Sequence, residues 1–463
     1  MQVLGLDIGT TSICGICCDA HSGKILEVVT VSNDATVPGQ HAWEKMQDPK
    51  LLIQKVKEIA ETLLQKWTNV CAIGVTGQMH GIVYLDEEGE TVSPLFIWQD
   101  GRGDQVYKEG KTYAQWLGEC TGYALATGYG AVTHFYNVVN GLVPKTAKTF
   151  CTIHDLAAMV LANVTTPVLH PSDAASFGLY DLRFNQFDKD AILAAGMNPE
   201  FFPEVKTGYP ILGKTATGIP VSVAIGDNQA SVLGSVKDME KSLLVNVGTG
   251  SQISCIVRGV PVHCEVDCRP LTEDLYLLAG SSLCGGRAYA ILEKFLRETA
   301  RLVTGVQVDS AYSAMDKVVE ELDRTEPALV VDTSFSGTRQ EPDKRGSIRN
   351  INIDNLTMAH LCDGVMNGIA GELYTLYQQM QPMLQKVPCQ MVASGNGVRL
   401  NKHLTERFVK AFGLPLFIPR HKEEAAFGAA LFGMVAASVK ESIQAAQELI
   451  YYEAKENEVC NRN

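Results

Sequence analysis

The chain has 463 residues, of which 46% are hydrophobic and 20% are charged, a composition typical of globular proteins. This length exceeds what one hydrophobic core usually supports, so we expect two large domains. The formal net charge of −13 excludes a general attraction to nucleic acid or to anionic membranes, and we expect neither as a partner.

The first residues, MQVLGLDIGTTS, lack a basic segment before their apolar run, so they do not resemble a secretory signal. The 13 cysteines are an odd number scattered along the chain, and we expect reduced thiols in a cytoplasmic protein. The longest uncharged apolar run, 425–439, has 15 residues and predicts a buried helix rather than a membrane span.

The N-terminal region predicts three strands, in VLGLDIGTTS, ICGICCDA and ILEVVTVS, and their short turns favour an antiparallel meander. The next segment, DPKLLIQKVKEIAETLLQKW, has apolar residues at helical spacing and predicts an amphipathic helix. A further strand, CAIGVTG, follows it. The alternation of strands and helices predicts an α/β fold.

A second copy of the opening segment lies far downstream, in LLVNVGTGSQIS at 243–254. The aligned pairs are Gly9 with Gly248, Thr10 with Thr249 and Ser12 with Ser251. Repetition at this distance indicates two similar domains, and the polar stretch before the second copy predicts domains 1–238 and 239–463.

Both copies place a Gly-Thr turn between strands, where backbone N–H groups and hydroxyls can form an anion-binding concavity. Two ordinary β-hairpins are the alternative, but the duplication favours a pair of phosphate-binding turns. The residues assigned to phosphate are Gly9, Thr10, Thr11, Ser12, Gly248, Thr249 and Gly250. Only the first copy has an acid before its turn: Asp7 aligns with Asn246 of the second copy. Asp7 is our candidate ligand for Mg²⁺.

Two common nucleotide motifs are absent from the sequence. No G-x-x-x-x-G-K-[ST] segment is present, which excludes a P-loop protein, and no G-x-G-x-x-G segment opens a βαβ unit.

Seven segments in order resemble the FGGY family of carbohydrate kinases. They are HAWEKMQDP, GQMHG, WQDGR, GDNQA, VNVGTGS, SGNGVRLN and EEAAFGAAL. The resemblance implies two ribonuclease-H-like domains of the actin/hexokinase ATPase type around a deep cleft. It also implies ATP and Mg²⁺ as cofactors, with ATP mainly against the second domain and a sugar against the first.

The resemblance further implies roles for single residues. Asp227, in GDNQA, would be the catalytic base, and its position after a strand also predicts a helix cap. Gly395 and Asn396 would border the nucleotide. The residues that would line the sugar pocket are Gln78, Met79, His80, Trp98 and Asp100, with a structural pair between Asp100 and Arg102 as the alternative for the last. Cys14 departs from the basic residue that many members carry near the first turn.

Within the family, TIHD at 152–155 and DAASFG at 173–178 resemble the sedoheptulokinase branch. His154, Asp155 and Asp173 are therefore either contacts for the extra sugar hydroxyls or structural hydrogen-bonding residues. The predicted reaction is ATP-dependent phosphorylation of the terminal primary hydroxyl of a ketose, with a pentulose kinase such as xylulokinase as the alternative. A non-enzymatic actin-like nucleotide switch is the alternative from another class, and the oligomeric state stays open between monomer and dimer.

Overall fold

The computed structural model describes residues 1–261, 266–323, 325–338, 341 and 343–453. The strands are β1 Gln2–Ile8, β2 Ser12–Asp19, β3 Ile25–Ser32, β4 Thr36–Val37, β5 Met46–Gln47, β6 Val70–Gly77, β7 Val83–Leu85, β8 Leu95–Phe96, β9 Thr149–Cys151, β10 Val168–Leu169, β11 Tyr180–Asp181, β12 Gln186–Phe187, β13 Glu204–Val205, β14 Ile211–Lys214, β15 Pro220–Ser222, β16 Ile225–Gly226, β17 Ser242–Val247, β18 Ser251–Arg258, β19 Asp267–Thr272, β20 Leu275–Ser282, β21 Val330–Asp332, β22 Ser347–Arg349, β23 Gln390–Ser394 and β24 Leu416–Phe417. The helices are α1 Pro49–Lys66, α2 Tyr113–Thr121, α3 Gly130–Val139, α4 Ile153–Ala162, α5 Pro171–Phe177, α6 Lys189–Ala194, α7 Asp227–Ser235, α8 Gly285–Thr304, α9 Tyr312–Glu320, α10 Met358–Met380, α11 Asn396–Arg399, α12 Lys402–Phe412, α13 Glu424–Ala436 and α14 Ile443–Gln447, with 3₁₀ turns at Gly101–Asp104, Pro199–Phe201 and Gln381–Met383.

The chain forms two compact α/β units. Unit 1 contains Met1–Lys237, Arg269–Tyr276 and Glu423–Tyr451. Unit 2 contains the described parts of 238–268, 277–422 and 452–453. Each unit is built from separated stretches of the chain, so a single boundary does not describe the division. The predicted domains 1–238 and 239–463 stay a prediction.

The main sheet of unit 1 has the strand order β14-β15-β6-β1-β2-β3, and β16 also pairs with β6. β1, β2 and β3 pair antiparallel, which confirms the predicted meander. β1 and β2 are buried over most of their length, as strands covered by helices on both faces must be.

Helix α1 confirms the amphipathic helix predicted after the meander. The Asp48 carboxylate accepts from the backbone N–H groups of Lys50 and Leu51, and Pro49 occupies the first turn. The residues that α1 buries recur at helical spacing and include Leu52, Val56, Ile59 and Leu63.

Helix α13 lies directly against the sheet and helix α7 of unit 1 because glycines let the backbones approach. A Cβ added at Gly5, Gly74 or Gly234 would overlap a backbone carbonyl of α13. The run at 425–439 is thus a buried helix, as predicted, over most of its length. Among the helices that the structure describes, none has the length and apolar character needed to cross a membrane.

The main sheet of unit 2 has the order β19-β20-β18-β17-β23-β24. β17 and β18 form an antiparallel hairpin, and β17 pairs parallel with β23. In unit 1, β1 likewise pairs antiparallel with β2 and parallel with β6. The two units therefore repeat one local architecture around the duplicated Gly-Thr turns.

Candidate active site

Three adjacent parallel strands of unit 1 end at the same level. Ile8 of β1 and Gly226 of β16 both pair with Gly77 of β6. The residues that follow these strands are Gly9, Gln78 and Asp227, so one edge of the sheet gathers the phosphate, sugar and base candidates. Ligands of open α/β sheets commonly bind at the carboxyl ends of the strands.

Asp227 begins helix α7 but does not cap it, which corrects the sequence-based expectation. Gly226 is the N-cap residue, and Asp227 is the first helical residue. Strand β16 ends at Gly226 and the helix begins at the next residue, so the cap lies one residue before Asp227. The acid still lies in the first turn, where the helix dipole favours a carboxylate.

The carboxyl of Asp227 is partly shielded from solvent, and this burial raises its pKa. His154 and the backbone N–H of Asn228 oppose this shift, as does Arg269. A raised pKa makes the carboxylate a better proton acceptor, which is the property that a general base needs.

Asp7 is the next-to-last residue of strand β1 and is partly exposed. Its Oδ1 atom is buried and has no hydrogen-bond partner among the described residues. Burial, then the charge of Asp227 and that of Glu423, raise the pKa of Asp7 to about 7. Cys14 lies opposite Asp7 in the hairpin, and burial raises the pKa of its thiol to about 12.

The first Gly-Thr turn is hydrogen bonded to two of the predicted sugar-pocket residues. Thr10 Oγ1 donates to Gln78 Oε1 at 3.3 Å and accepts from Trp98 Nε1 at 3.0 Å. Gln47 completes a ring, because its Nε2 donates to the Thr10 carbonyl at 3.2 Å and its Oε1 accepts from Gln78 Nε2 at 2.9 Å. Asn33 Nδ2 donates to the Gly9 carbonyl at 2.8 Å.

Sequence reasoning missed Gln47 and Asn33. Gln47 lies in the family segment HAWEKMQDP, which was a signal for it, whereas nothing local to Asn33 indicates its contact with the turn.

His80 has an unusual backbone conformation, with φ of 72° in a residue that is not glycine. Its Nδ1 lies 2.7 Å from the carbonyl of Ser176, so Nδ1 carries a proton and donates. Its ring also stacks on Tyr129 at 4.7 Å between centroids. The neighbouring Met79 is buried, and its sulfur lies next to Gly226.

Asp100 and Trp98 differ in their access to a ligand. Trp98 is 45% exposed, whereas Asp100 is fully buried. The Asp100 carboxylate accepts from Arg102 Nε at 2.6 Å and from the Lys45 backbone N–H at 2.9 Å. These contacts fit the structural-pair alternative for Asp100, so we leave it out of the proposed sugar pocket.

A fully buried cluster of His154, Asp155 and Asp173 lies behind this edge of the sheet. His154 Nε2 and Asp173 Oδ1 are 2.9 Å apart, and Asp155 forms a capping box with Thr152 at the start of α4. Burial, followed by the charge of Asp173, raises the pKa of Asp155 to about 8. The structure thus favours structural hydrogen bonding over sugar contact for all three residues.

The second Gly-Thr turn, in unit 2, meets the start of helix α8. The backbone N–H groups of Gly286 and Arg287 donate to the carbonyls of Gly248 and Thr249 at 3.1 and 3.0 Å. A Cβ at Gly286 would overlap the Gly248 carbonyl. Sequence reasoning missed this glycine pair, although CGGRAYA after an apolar strand is a signal of close backbone approach.

Gly395 also reaches this turn from the end of β23. Its φ is 86°, and a Cβ added there would lie 2.6 Å from the carbonyl of Val247. Asn396, which opens α11, is exposed. The nucleotide candidates Gly248, Thr249, Gly250 and Gly395 therefore lie together in unit 2, with the side chain of Asn396 accessible.

Family models match nearly the whole chain. The N-terminal domain model of the FGGY family of carbohydrate kinases matches residues 2–234, and the C-terminal domain model matches residues 244–437. The chain belongs to the FGGY family of carbohydrate kinases. It is therefore a carbohydrate kinase, and members of this family depend on ATP.

Relatives span most of the chain at low identity. A sedoheptulokinase from Mus musculus is 26% identical over 92% of this chain and 96% of its own length. A glycerol kinase from Aquifex aeolicus is 24% identical over 92% of this chain and 88% of its own length.

Solved FGGY kinases share the fold. A xylulose kinase from Rhodospirillum rubrum has a TM-score of 0.84 at 20% identity, covering 98% of this chain and 93% of its own. A glycerol kinase from Plasmodium falciparum, solved with ADP, has a TM-score of 0.80 at 17% identity, covering 98% and 93%. These similarities confirm the predicted two-domain α/β fold of the actin/hexokinase type.

Proposed function

We propose that this FGGY kinase transfers the γ-phosphoryl group of ATP to the terminal primary hydroxyl of a ketose, with sedoheptulose as the preferred sugar. The observation that carries the proposal is the common edge of β1, β6 and β16, which presents Gly9, Gln78 and Asp227 together. The similarity to sedoheptulokinases over 92% of the chain supports the choice of sugar.

Asp227 is the proposed general base. Its carboxylate accepts the hydroxyl proton as the sugar oxygen forms a bond to the γ-phosphorus. The bond between that phosphorus and the oxygen bridging to ADP breaks, and ADP leaves with its electron pair. Most of the rate enhancement comes from positioning and electrostatics, as in other phosphoryl transfers.

The two Gly-Thr turns are the proposed phosphate-binding elements. The first turn offers Thr10 and its neighbours Thr11 and Ser12, and the second offers the exposed residues Gly248 and Thr249. Gly286 and Gly395 keep the second turn free of side chains on its packed face. Such turns bind anions through backbone N–H groups and hydroxyls.

Asp7 fits a divalent cation. Its buried Oδ1 lacks a partner among the described residues, and the nearby charges of Asp227 and Glu423 add negative potential. A hard carboxylate oxygen of this kind suits Mg²⁺, which would neutralise charge on the phosphates when bound.

The proposed sugar pocket consists of Gln78, His80 and Trp98. His80 is a proposed sugar contact because its Nδ1 donates to the Ser176 carbonyl, which fixes the orientation of the ring. Trp98 offers a partly exposed ring for the apolar face of a sugar. A pocket whose polar groups pair with hydroxyls discriminates against shorter sugars, because the unfilled groups stay unpaired.

A side-by-side kinase assay with sedoheptulose, xylulose, ribulose and glycerol tests the proposal. We expect kcat/KM for sedoheptulose to exceed that for xylulose by about tenfold or more. Xylulose turnover at least as efficient would replace the sedoheptulokinase assignment with xylulokinase. Turnover of glycerol alone would overturn the assignment of a ketose pocket.

A further inference from the structure

We propose that helix α5 is a positioning element whose two serines have separate tasks: Ser172 holds the base helix and Ser176 holds the sugar-pocket histidine. The inference rests on the proposed function, because it takes Asp227 as the base and His80 as a sugar contact. Neither serine is assigned to touch substrate.

Ser172 binds the backbone immediately before the base. Its Oγ accepts from the N–H of Gly226, the N-cap of helix α7, at 3.1 Å. The same Oγ lies 2.9 Å from His170 Nδ1, and both side chains are buried. Loss of this hydroxyl leaves the Gly226 N–H without its partner and frees the start of the helix that carries Asp227.

Ser176 binds His80 twice. Its Oγ accepts from the His80 backbone N–H at 3.2 Å, and its carbonyl accepts from His80 Nδ1 at 2.7 Å. These bonds hold the backbone of His80 in the left-handed region, with φ of 72°. A residue other than glycine stays there only when its surroundings impose it, and such strain is concentrated at functional sites.

The helix between the two serines is anchored in the core of unit 1. Asp173 pairs with His154 at 2.9 Å, and Ser176 Oγ donates to the Asp173 carbonyl at 2.8 Å. Six of the seven residues of α5 are buried. The helix is therefore a fixed platform, and each serine acts on a different functional residue.

The experiment compares Ser172→Ala and Ser176→Ala in the full-length enzyme. The matched control is Ser222→Ala, which removes a buried hydroxyl of unit 1 that has no hydrogen-bond partner among the described residues. All three variants lose one oxygen atom, and thermal unfolding confirms that each remains folded.

We expect Ser172→Ala to lower kcat about tenfold with little change in the KM for sugar, because a misplaced base slows the chemical step. We expect Ser176→Ala to raise the KM for sugar about tenfold with a smaller change in kcat. The KM for ATP stays unchanged in both variants. Ser172→Thr and Ser176→Thr restore the hydroxyl and recover part of each loss.

Equal changes of kcat and KM in the two alanine variants would overturn the separate tasks. If Ser172→Ala and Ser176→Ala have the same kinetics as Ser222→Ala, the positioning role is wrong. An inactive Asp227→Asn enzyme in the same experiment would still support the proposed function. Normal turnover of Asp227→Asn would overturn the proposed function and this inference together.

Discussion

The two Gly-Thr hairpins share a strand arrangement but differ in the residue before the turn. In unit 1, Asp7 has a buried carboxylate oxygen with no partner among the described residues. In unit 2, Asn246 Nδ2 donates to Ser394 Oγ at 2.9 Å. One hairpin keeps an unsatisfied acid, and the other has a neutral amide that the protein itself satisfies.

The turns also differ in length. The pair Ile8 and Ile13 encloses four residues, whereas the pair Val247 and Ser251 encloses three. The longer turn is hydrogen bonded through side chains to the proposed sugar-pocket residues, and the shorter one is hydrogen bonded through its backbone to helix α8. The two hairpins therefore differ in structure: an acid precedes the first turn, here called the charged turn, and glycines line the second, here called the glycine-lined turn.

Buried carboxylates follow the same division. Among the described residues, the buried carboxylate oxygens without partners belong to Asp7, Asp155 and Asp173, all in unit 1. In unit 2, the buried Asp363 instead accepts two bonds from Arg407, at 2.9 and 2.6 Å. Unit 1 concentrates carboxyl groups with one unpartnered oxygen near the proposed chemistry, at a cost in stability that functional sites commonly bear.

The largest effect expected in unit 1 is that of Asp227→Asn. The variant keeps the shape of the side chain but cannot accept the hydroxyl proton, so kcat should fall by about 10²–10⁴. Binding of ATP should stay within about twofold because the glycine-lined turn is unchanged. Turnover near that of the wild type would show that the first unit does not supply the base.

Gly286 lies in the first turn of helix α8 and packs against the glycine-lined turn. Gly286→Ala should raise the KM for ATP by about tenfold, since the new Cβ overlaps the Gly248 carbonyl. The KM for sugar should not change. Gly371→Ala is the matched control, because its Cβ meets no atom within 4 Å in helix α10. An unchanged KM for ATP in Gly286→Ala would show that this turn does not contribute to nucleotide binding.

The contrast between the protonated carboxyl of Asp155 and the arginine-paired carboxylate of Asp363 predicts opposite effects of their substitution on stability. The folded-state pKa of Asp155 is raised to about 8, so the folded protein holds this proton where the unfolded chain has lost it. Stability therefore falls as pH rises from about 4, the ordinary value for aspartate, towards 8. Asp155→Asn removes that loss, and its melting temperature should exceed that of the wild type by more at pH 8.5 than at pH 5.5.

Asp363→Asn should do the reverse and destabilise the protein, because it removes the buried charged partner of Arg407 and leaves the exposed Glu406 at 3.2 Å. Breaking such a pair typically costs about 3–5 kcal/mol. The melting temperatures of Asp155→Asn and Asp363→Asn, measured by thermal unfolding at the same two pH values, test both expectations. A loss of stability in Asp155→Asn that grows with pH would contradict the assignment of a buried, proton-holding carboxyl.

Local patterns in the sequence predicted the parts of this structure that depend on neighbouring residues. The meander, helix α1 and the second hairpin follow from apolar periodicity and from turn residues. The cap expected at Asp227 was wrong by one residue, because strand and helix ends vary by that much unless side-chain contacts fix them.

The contacts that define the site are non-local, and the sequence could not show them. Gln47 bonds to Thr10 across 37 residues, and Ser172 bonds to Gly226 across 54. Helix α13 joins unit 1 from the end of the chain, and only glycines at Gly5, Gly74 and Gly234 indicate a close neighbour. The sequence left Asp100 open between a ligand contact and a pair with Arg102, because the burial that favours the pair depends on packing.

The dependence of activity on Mg²⁺ in Asp7→Ala and Asn246→Ala tests the division between the hairpins most directly. Initial rates are measured across a Mg²⁺ titration at fixed, saturating ATP and sugar. We predict that Asp7→Ala lowers kcat and requires about tenfold more Mg²⁺ for half-maximal activity. Asn246→Ala should shift the requirement by less than about twofold. Equal shifts in the two variants, or no shift in Asp7→Ala, would contradict the claim that only the first hairpin supplies a cation ligand.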